Sequence, residues 1–207
     1  DFFRSPDTEV VLSQGLIRFP TSAALHERLR NQLLRKGGVK LLMSEYKRML
    51  AAADAPAVLP WFAGYASLVA AEQHRRRQDP DAAQASYRQA LAYFASYTSA
   101  TGSNDAAHYE AMAHGGLARL ALQAGDLDLT FSELQQLFTT CPTAASATDG
   151  LSITAMQTAE MLRGRAIDQK DVDLQERLAN ALKSLPPEAF TLPEYEQRSR
   201  GAGRRGR

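Results

Sequence analysis

Three places in this chain stop one helix and start another with almost nothing between them. Gly125-Asp126 sets a glycine suited to the left-handed position after a helix directly before an aspartate suited to cap the next. Asp79-Pro80-Asp81 places a capping carboxylate, then a proline at the first helical position, where its missing N–H costs nothing. An acid follows in the positive first turn. Gly37-Gly38 makes a comparable break, and Asp171 caps a further helix. Connections this short leave consecutive helices no arrangement but antiparallel neighbours. The building unit is a helical hairpin.

Between these breaks, apolar residues recur at spacings of three and four among good helix formers. No sustained period-two alternation of β-branched and aromatic residues occurs, and no Asn-Gly or Asp-Gly turn joins two such runs. The pattern predicts helices over 7–18, 22–36, 39–53, 58–78, 80–100, 105–124, 127–140, 152–166 and 171–184, an all-α fold of about nine helices. Ala55 to Ala71 is the longest uncharged run, but Pro56, Pro60 and Gly64 interrupt it. It reads as a buried central helix rather than a membrane span.

Small and large residues then repeat in order. Ala71, Gln78-Asp79-Pro80, Ala83, Tyr87 and Ala90 form one set. Leu117-Ala118, Gly125-Asp126-Leu127, Thr130, Leu134, Leu137 and Pro142 form a second, and Leu29, Gly37-Gly38, Leu42, Tyr46 and Met49 an earlier one. This pattern over residues 8–142 resembles the tetratricopeptide repeat. Small residues let the two helices of a hairpin approach, while large ones fill the gap to the next hairpin. The resemblance implies a right-handed superhelix of antiparallel hairpins, an α-solenoid. Two features depart from the family. The turn-to-turn spacings, 41 from Gly38 to Asp79 and 47 from Asp79 to Asp126, exceed the usual unit of about 34. Trp61 also stands near the start of its helix, displaced from the signature position.

Phe19-Pro20 reads as the end of a half-repeat. Residues 150–184 form a hairpin without the motif, expected to cap a single repeat domain over 1–186. Residues 187–207 form an extension in which Leu192-Pro193-Glu194-Tyr195 is expected as a short turn. From Arg198 to Arg207 five arginines occur with no acid and nothing apolar larger than alanine, so that stretch is expected to be disordered. Removing those five from the 24 basic residues leaves 19 against 23 acids, so the net charge of +1 conceals an acidic body.

Arginine-rich, alanine-rich usage points to a bacterial source. The chain begins at Asp1 and not at methionine, so it reads as a processed or truncated end, and the compartment stays open between cytoplasm and periplasm. The single cysteine, Cys141, excludes an internal disulfide framework.

Chemistry-bearing patterns are sparse. His26, His74, His108 and His114 make no H-E-x-x-H, and Glu110 with His114 supplies two candidate ligands, too few for a metal site. No G-x-S-x-G elbow and no phosphate-binding glycine loop is present, and Cys141 precedes Pro142 at a helix end without a neighbouring base. No cofactor is implied and catalysis is not expected. His74-Arg75-Arg76-Arg77 fits either a solvated helix end facing its own dipole, the simpler reading, or a clamp for an acidic partner.

In the family it resembles, the first helix of each hairpin lines a concave face that holds peptides. Carried over by register, that face holds Glu27, Asn31 and Arg35, then Tyr65, Leu68, Glu72 and Arg75, then Met112, Gly115, Arg119 and Leu122. The partner-contacting residues are expected to be Asn31, Arg35, Tyr65, Glu72, Arg75 and Arg119. Asn31 falls where peptide-clamping members often carry asparagine, but their lysine partners are missing. The expected function is a non-catalytic scaffold for a protein or peptide partner, or a subunit of an assembly. Two alternatives stay open: a nucleic-acid-associated protein using the Arg/Gly tail, and a substrate-gripping domain of a larger enzyme.

Overall fold

The computed structural model describes residues 7–150 and 153–191, with side chains from Val10 onward. The turn expected at Leu192–Tyr195 and the arginine tail lie outside the described residues. Among those described, 80% are helical and no strand occurs, only an isolated antiparallel bridge between Thr148 and Thr154. The fold is all-α. Its helices are α1 (Asp7–Arg18), α2 (Ala23–Leu50), α3 (Leu59–Arg76), α4 (Pro80–Thr101), α5 (Ala107–Ala124), α6 (Leu127–Thr140), α7 (Ala155–Asp168) and α8 (Val172–Lys183). Two 3-10 turns, Pro142–Ser146 and Pro187–Phe190, complete them.

Among the described residues eight helical spans stand against the nine expected, because the helices expected over 22–36 and 39–53 meet at Gly38 with no loop between them and count as one span. Gly38 itself is not helical, with φ 66° and ψ −158°, a region an L side chain rarely enters. There the chain folds back. In a straight helix His26 and Tyr46 would be roughly 30 Å apart, yet their side chains are joined by a 3.1 Å hydrogen bond. α2 is therefore a hairpin of two arms, 23–37 and 39–50, as the paired glycines imply.

The capping chemistry works as the residues suggest. Asp79 accepts from the Ala82 N–H at 3.1 Å, Asp126 from Leu129 at 3.0 Å and Asp171 from Leu174 at 3.0 Å. Gly125 takes φ 82°, so that it alone separates the end of α5 at Ala124 from the Asp126 cap. The helix expected from 152 starts at 155 instead, because Thr154 and Gln157 make a reciprocal capping box. Ser22 caps α2 through the Leu25 N–H.

Contacts gather the chain into two compact units, residues 1–106 and 107–207. This division stands beside the single repeat domain drawn from sequence over 1–186. In unit 1, Gly64 lies against the buried Phe94: a Cβ there would meet a ring carbon at 2.5 Å, so α3 and α4 approach through a missing side chain. The contacts between residues 64 and 94, and between 72 and 87, share nearly the same sum of numbers, which is the signature of an antiparallel pair. Ala71 and Ala118 are fully buried, as are the second-helix positions Tyr46, Tyr87 and Leu134. Each buried ring removes about 150–250 Å² from water, worth roughly 4–6 kcal/mol before entropy is subtracted.

The first arm of α2 and α3 run parallel in fixed register. His26 stacks on Phe62 with ring centroids 3.6 Å apart, and the Arg30 guanidinium lies 4.7 Å from the Tyr65 ring centroid. The offsets are 36 and 35 residues. Like helices of successive hairpins are thus side by side at nearly the family's period, although the turns are farther apart in sequence, because α3 runs on to Arg76 while the first arm stops at Gly38.

In unit 2, α5 and α6 form the central hairpin. Gly115 of α5 would place a Cβ 3.0 Å from Leu137 of α6, and the core includes Phe131, Leu134, Leu162, Leu174 and Leu178. The segment after α6 opens with the 3-10 turn Pro142–Ser146 and is buried at Ala144, Ala145, Ser146 and Ala147.

Candidate partner-binding surface

The six residues drawn from register divide by burial. Asn31 and Arg35 are exposed on the first arm of α2, one turn apart on the same face. Tyr65 is half-buried on α3 beside Trp61, one turn earlier, and the two rings are parallel within 3° at 5.9 Å. With Arg30 over Tyr65, this makes a ledge of one guanidinium and two aromatic rings, the side chains that most often carry interface energy. Asn31, Arg35 and the ledge all belong to unit 1.

Glu72 and Arg75 point inward instead. The Arg75 side chain is only 4% exposed; its Nη1 lies 3.1 Å from Glu72 Oε1 and 3.1 Å from the Tyr87 hydroxyl, which in turn donates to Glu72. Burial and the adjoining Glu72 carboxylate push the Tyr87 hydroxyl far above its ordinary pKa, partly offset by Arg75, so it stays protonated and keeps donating. These three residues tie α3 to α4. Removing one partner of a buried ion pair is costly, and here the Glu72 carboxylate accepts from both Arg75 Nη1 and the Tyr87 hydroxyl.

Arg119 is likewise interior, its side chain 4% exposed. It pairs with Asp149, donates to Thr158 Oγ1 at 3.0 Å and to the Thr154 carbonyl at 3.2 Å. Asp149 also accepts from the Ile153 N–H at 2.9 Å. With Met112 and Gly115, Arg119 lines a cleft of about 20 Å³ whose other walls are Ala144, Ala147, Asp149 and Ile153. The face that register assigned to a partner in unit 2 is covered by the chain's own segment after α6. Register fixes which side of α5 Arg119 occupies; it carries no information about a segment thirty residues later.

Unit 1 also holds a cavity of about 320 Å³ that no sequence pattern announced. Leu16 and Ile17 of α1, Leu29 and Met49 of the two α2 arms, Pro56 of the following loop and Leu59 at the start of α3 form its apolar walls. Glu45 and Arg48 stand at its edge, and the Arg48 hydrogen bond holds the Glu45 carboxyl below its usual range. It brings together residues more than forty positions apart, which local spacing cannot reveal.

The histidines are held by structural contacts. His26 Nε2 lies 3.0 Å from the Pro20 carbonyl, an acceptor only, so Nε2 carries the proton and Nδ1 accepts from Tyr46. Burial lowers its pKa to about 4. His114 Nδ1 is 2.6 Å from Glu133 Oε2, joining α5 to α6, and burial raises the nearby Glu110 carboxyl. His74 lies 3.8 Å from Asp79, and His108 meets the Tyr109 ring edge-on. Among the described residues, no three His, Cys, Asp or Glu side chains are grouped to hold a metal ion. None of the helices described is long and apolar enough to cross a membrane. Cys141 is half-buried, 3.4 Å from the Thr143 hydroxyl.

No family model matches the sequence, and no curated protein matches it either. What the fold and surface define is a class: an all-helical protein with neighbouring helices packed as hairpins, compatible with a helical repeat.

Proposed function

We propose that this chain is a non-catalytic, tetratricopeptide-like scaffold whose first helices hold a protein or peptide partner. One observation supports it above the others. The first arm of α2 and α3 lie parallel at an offset of 35–36 residues, close to the repeat period of about 34. Parallel helices at that period are how a solenoid builds a continuous inner strip. On this reading Asn31, Arg35 and the Arg30–Tyr65–Trp61 ledge make the contacts. Glu72 and Arg75, through Tyr87, tie α3 to α4 and so brace the helix that carries the ledge, while Arg119 belongs to the interior of unit 2.

A pull-down compares the wild type with Asn31→Ala/Arg35→Ala/Tyr65→Ala and with a chain lacking Arg198 to Arg207. Loss of the captured partners from the triple variant is the expected result. Equal capture by both full-length proteins, with loss on removing the tail, would transfer the function to the tail.

A further inference from the structure

The α2 hairpin carries a charge pattern of which the partner strip uses only Arg35 among the exposed cations. From Arg28 to Ser44 there are five basic residues and no acid. Twelve residues of α2 are exposed. Six are cationic (Arg28, Arg35, Lys36, Lys40, Lys47 and Arg48), Glu27 is the one acid, and none is a large apolar residue. Over the described residues, unit 1 has twelve basic against nine acidic side chains, while unit 2 has six against eleven. On charge alone a polyanion is drawn to unit 1 and repelled by the described part of unit 2; the five arginines from Arg198 to Arg207 lie outside that count.

The fold concentrates these cations. Arg35, Lys36 and Lys40 surround the fold-back at Gly38, where a side chain on the glycine would meet nothing within 4 Å. By the parallel register, residues 35 and 36 stand level with about 71 and 72 of α3. α3 continues roughly one turn further, to the exposed Arg76 and Arg77. Five exposed cations thus occupy one end of unit 1. The carboxylates beginning α4 there are Asp79, which caps Ala82 and lies near His74, and Asp81.

We propose that this end of unit 1 docks the phosphate backbone of nucleic acid. The chemistry selects phosphate over an acidic protein. A protein interface is centred on apolar or aromatic anchors, and the exposed surface of α2 has none. Phosphate contacts need only cations in reach, and they position a strand without reading its bases. The aromatic ledge is no base platform, because Trp61 and Tyr65 stack on each other and Arg30 covers Tyr65.

The test is fluorescence anisotropy of labelled oligouridine and of duplex DNA with the full chain, across a salt series. Lys36→Glu/Lys40→Glu and Arg76→Glu/Arg77→Glu are compared with the chain lacking Arg198 to Arg207, and circular dichroism confirms that each remains helical. Each double variant should weaken binding by about ten-fold or more, and each lost contact should flatten the single-strand salt slope by about 0.7. Should a charge-reversed pair perturb folding, the corresponding glutamine pair gives the same comparison with a smaller loss. Three results would each overturn the proposal: no oligonucleotide binding at low salt, binding lost with the tail but untouched by both charge-reversed pairs, or tighter binding of a glutamate-rich peptide than of oligouridine.

Discussion

His26 makes the stability of unit 1 depend on pH, and the size of the effect can be worked out from its surroundings. The ring is 1% exposed, stacked on Phe62, donating to the Pro20 carbonyl and accepting from Tyr46. A second proton would need an acceptor at Nδ1, where the Tyr46 hydroxyl already donates. Desolvation opposes that proton as well, and the folded pKa falls from 6.5 to about 4. The unfolded chain therefore binds more protons between those values, and stability declines as pH falls through that window. It is fully present above pH 6.5 and suffers no further loss from this group below about 4. At about 1.4 kcal/mol per pH unit the total is roughly 3 kcal/mol. Trp61, the only tryptophan, packs edge-on against Phe62 and reports on this unit by fluorescence. Urea unfolding at pH 7, 5.5 and 4 is compared between the wild type and His26→Gln, which can keep both hydrogen bonds without titrating. Carboxylates such as Glu45 titrate in both proteins and cancel in the difference. The wild type should lose roughly 3 kcal/mol more than the variant across the window; parallel pH profiles would refute the assigned protonation state.

Two further substitutions test the packing. Ala118→Leu, at a fully buried position of α5, should overpack its surroundings and cost about 1–3 kcal/mol, seen as a lower Tm by circular dichroism; an unchanged Tm would show that the site has room. Arg119→Met strands the Asp149 carboxylate and should cost about 3–5 kcal/mol in urea unfolding, most of it recovered on adding Asp149→Asn. Equal stability of the wild type and Arg119→Met would mean that the pair is not buried in solution.

Sequence alone determined the local elements, because their causes lie within four residues. Asp79, Asp126 and Asp171 cap helices through neighbouring N–H groups, and glycine at 38 and 125 accepts backbone that other residues resist. α1 and α6 accordingly occupy their expected spans. The small and large positions Ala71, Tyr87, Ala118 and Leu134 were legible too, since burial of one helix face follows from its own periodicity. The fate of polar side chains was decided elsewhere. Whether an arginine meets solvent or a carboxylate depends on what the rest of the chain brings to it. Arg75 turns inward because Tyr87, twelve residues on, closes the triad with Glu72, and Arg119 because Asp149 arrives from a separation of thirty. Arg35, on a helix with the same spacing rules, stays exposed. Only the tertiary structure makes that distinction, because desolvating a charge is costly and is tolerated just where a distant partner compensates it.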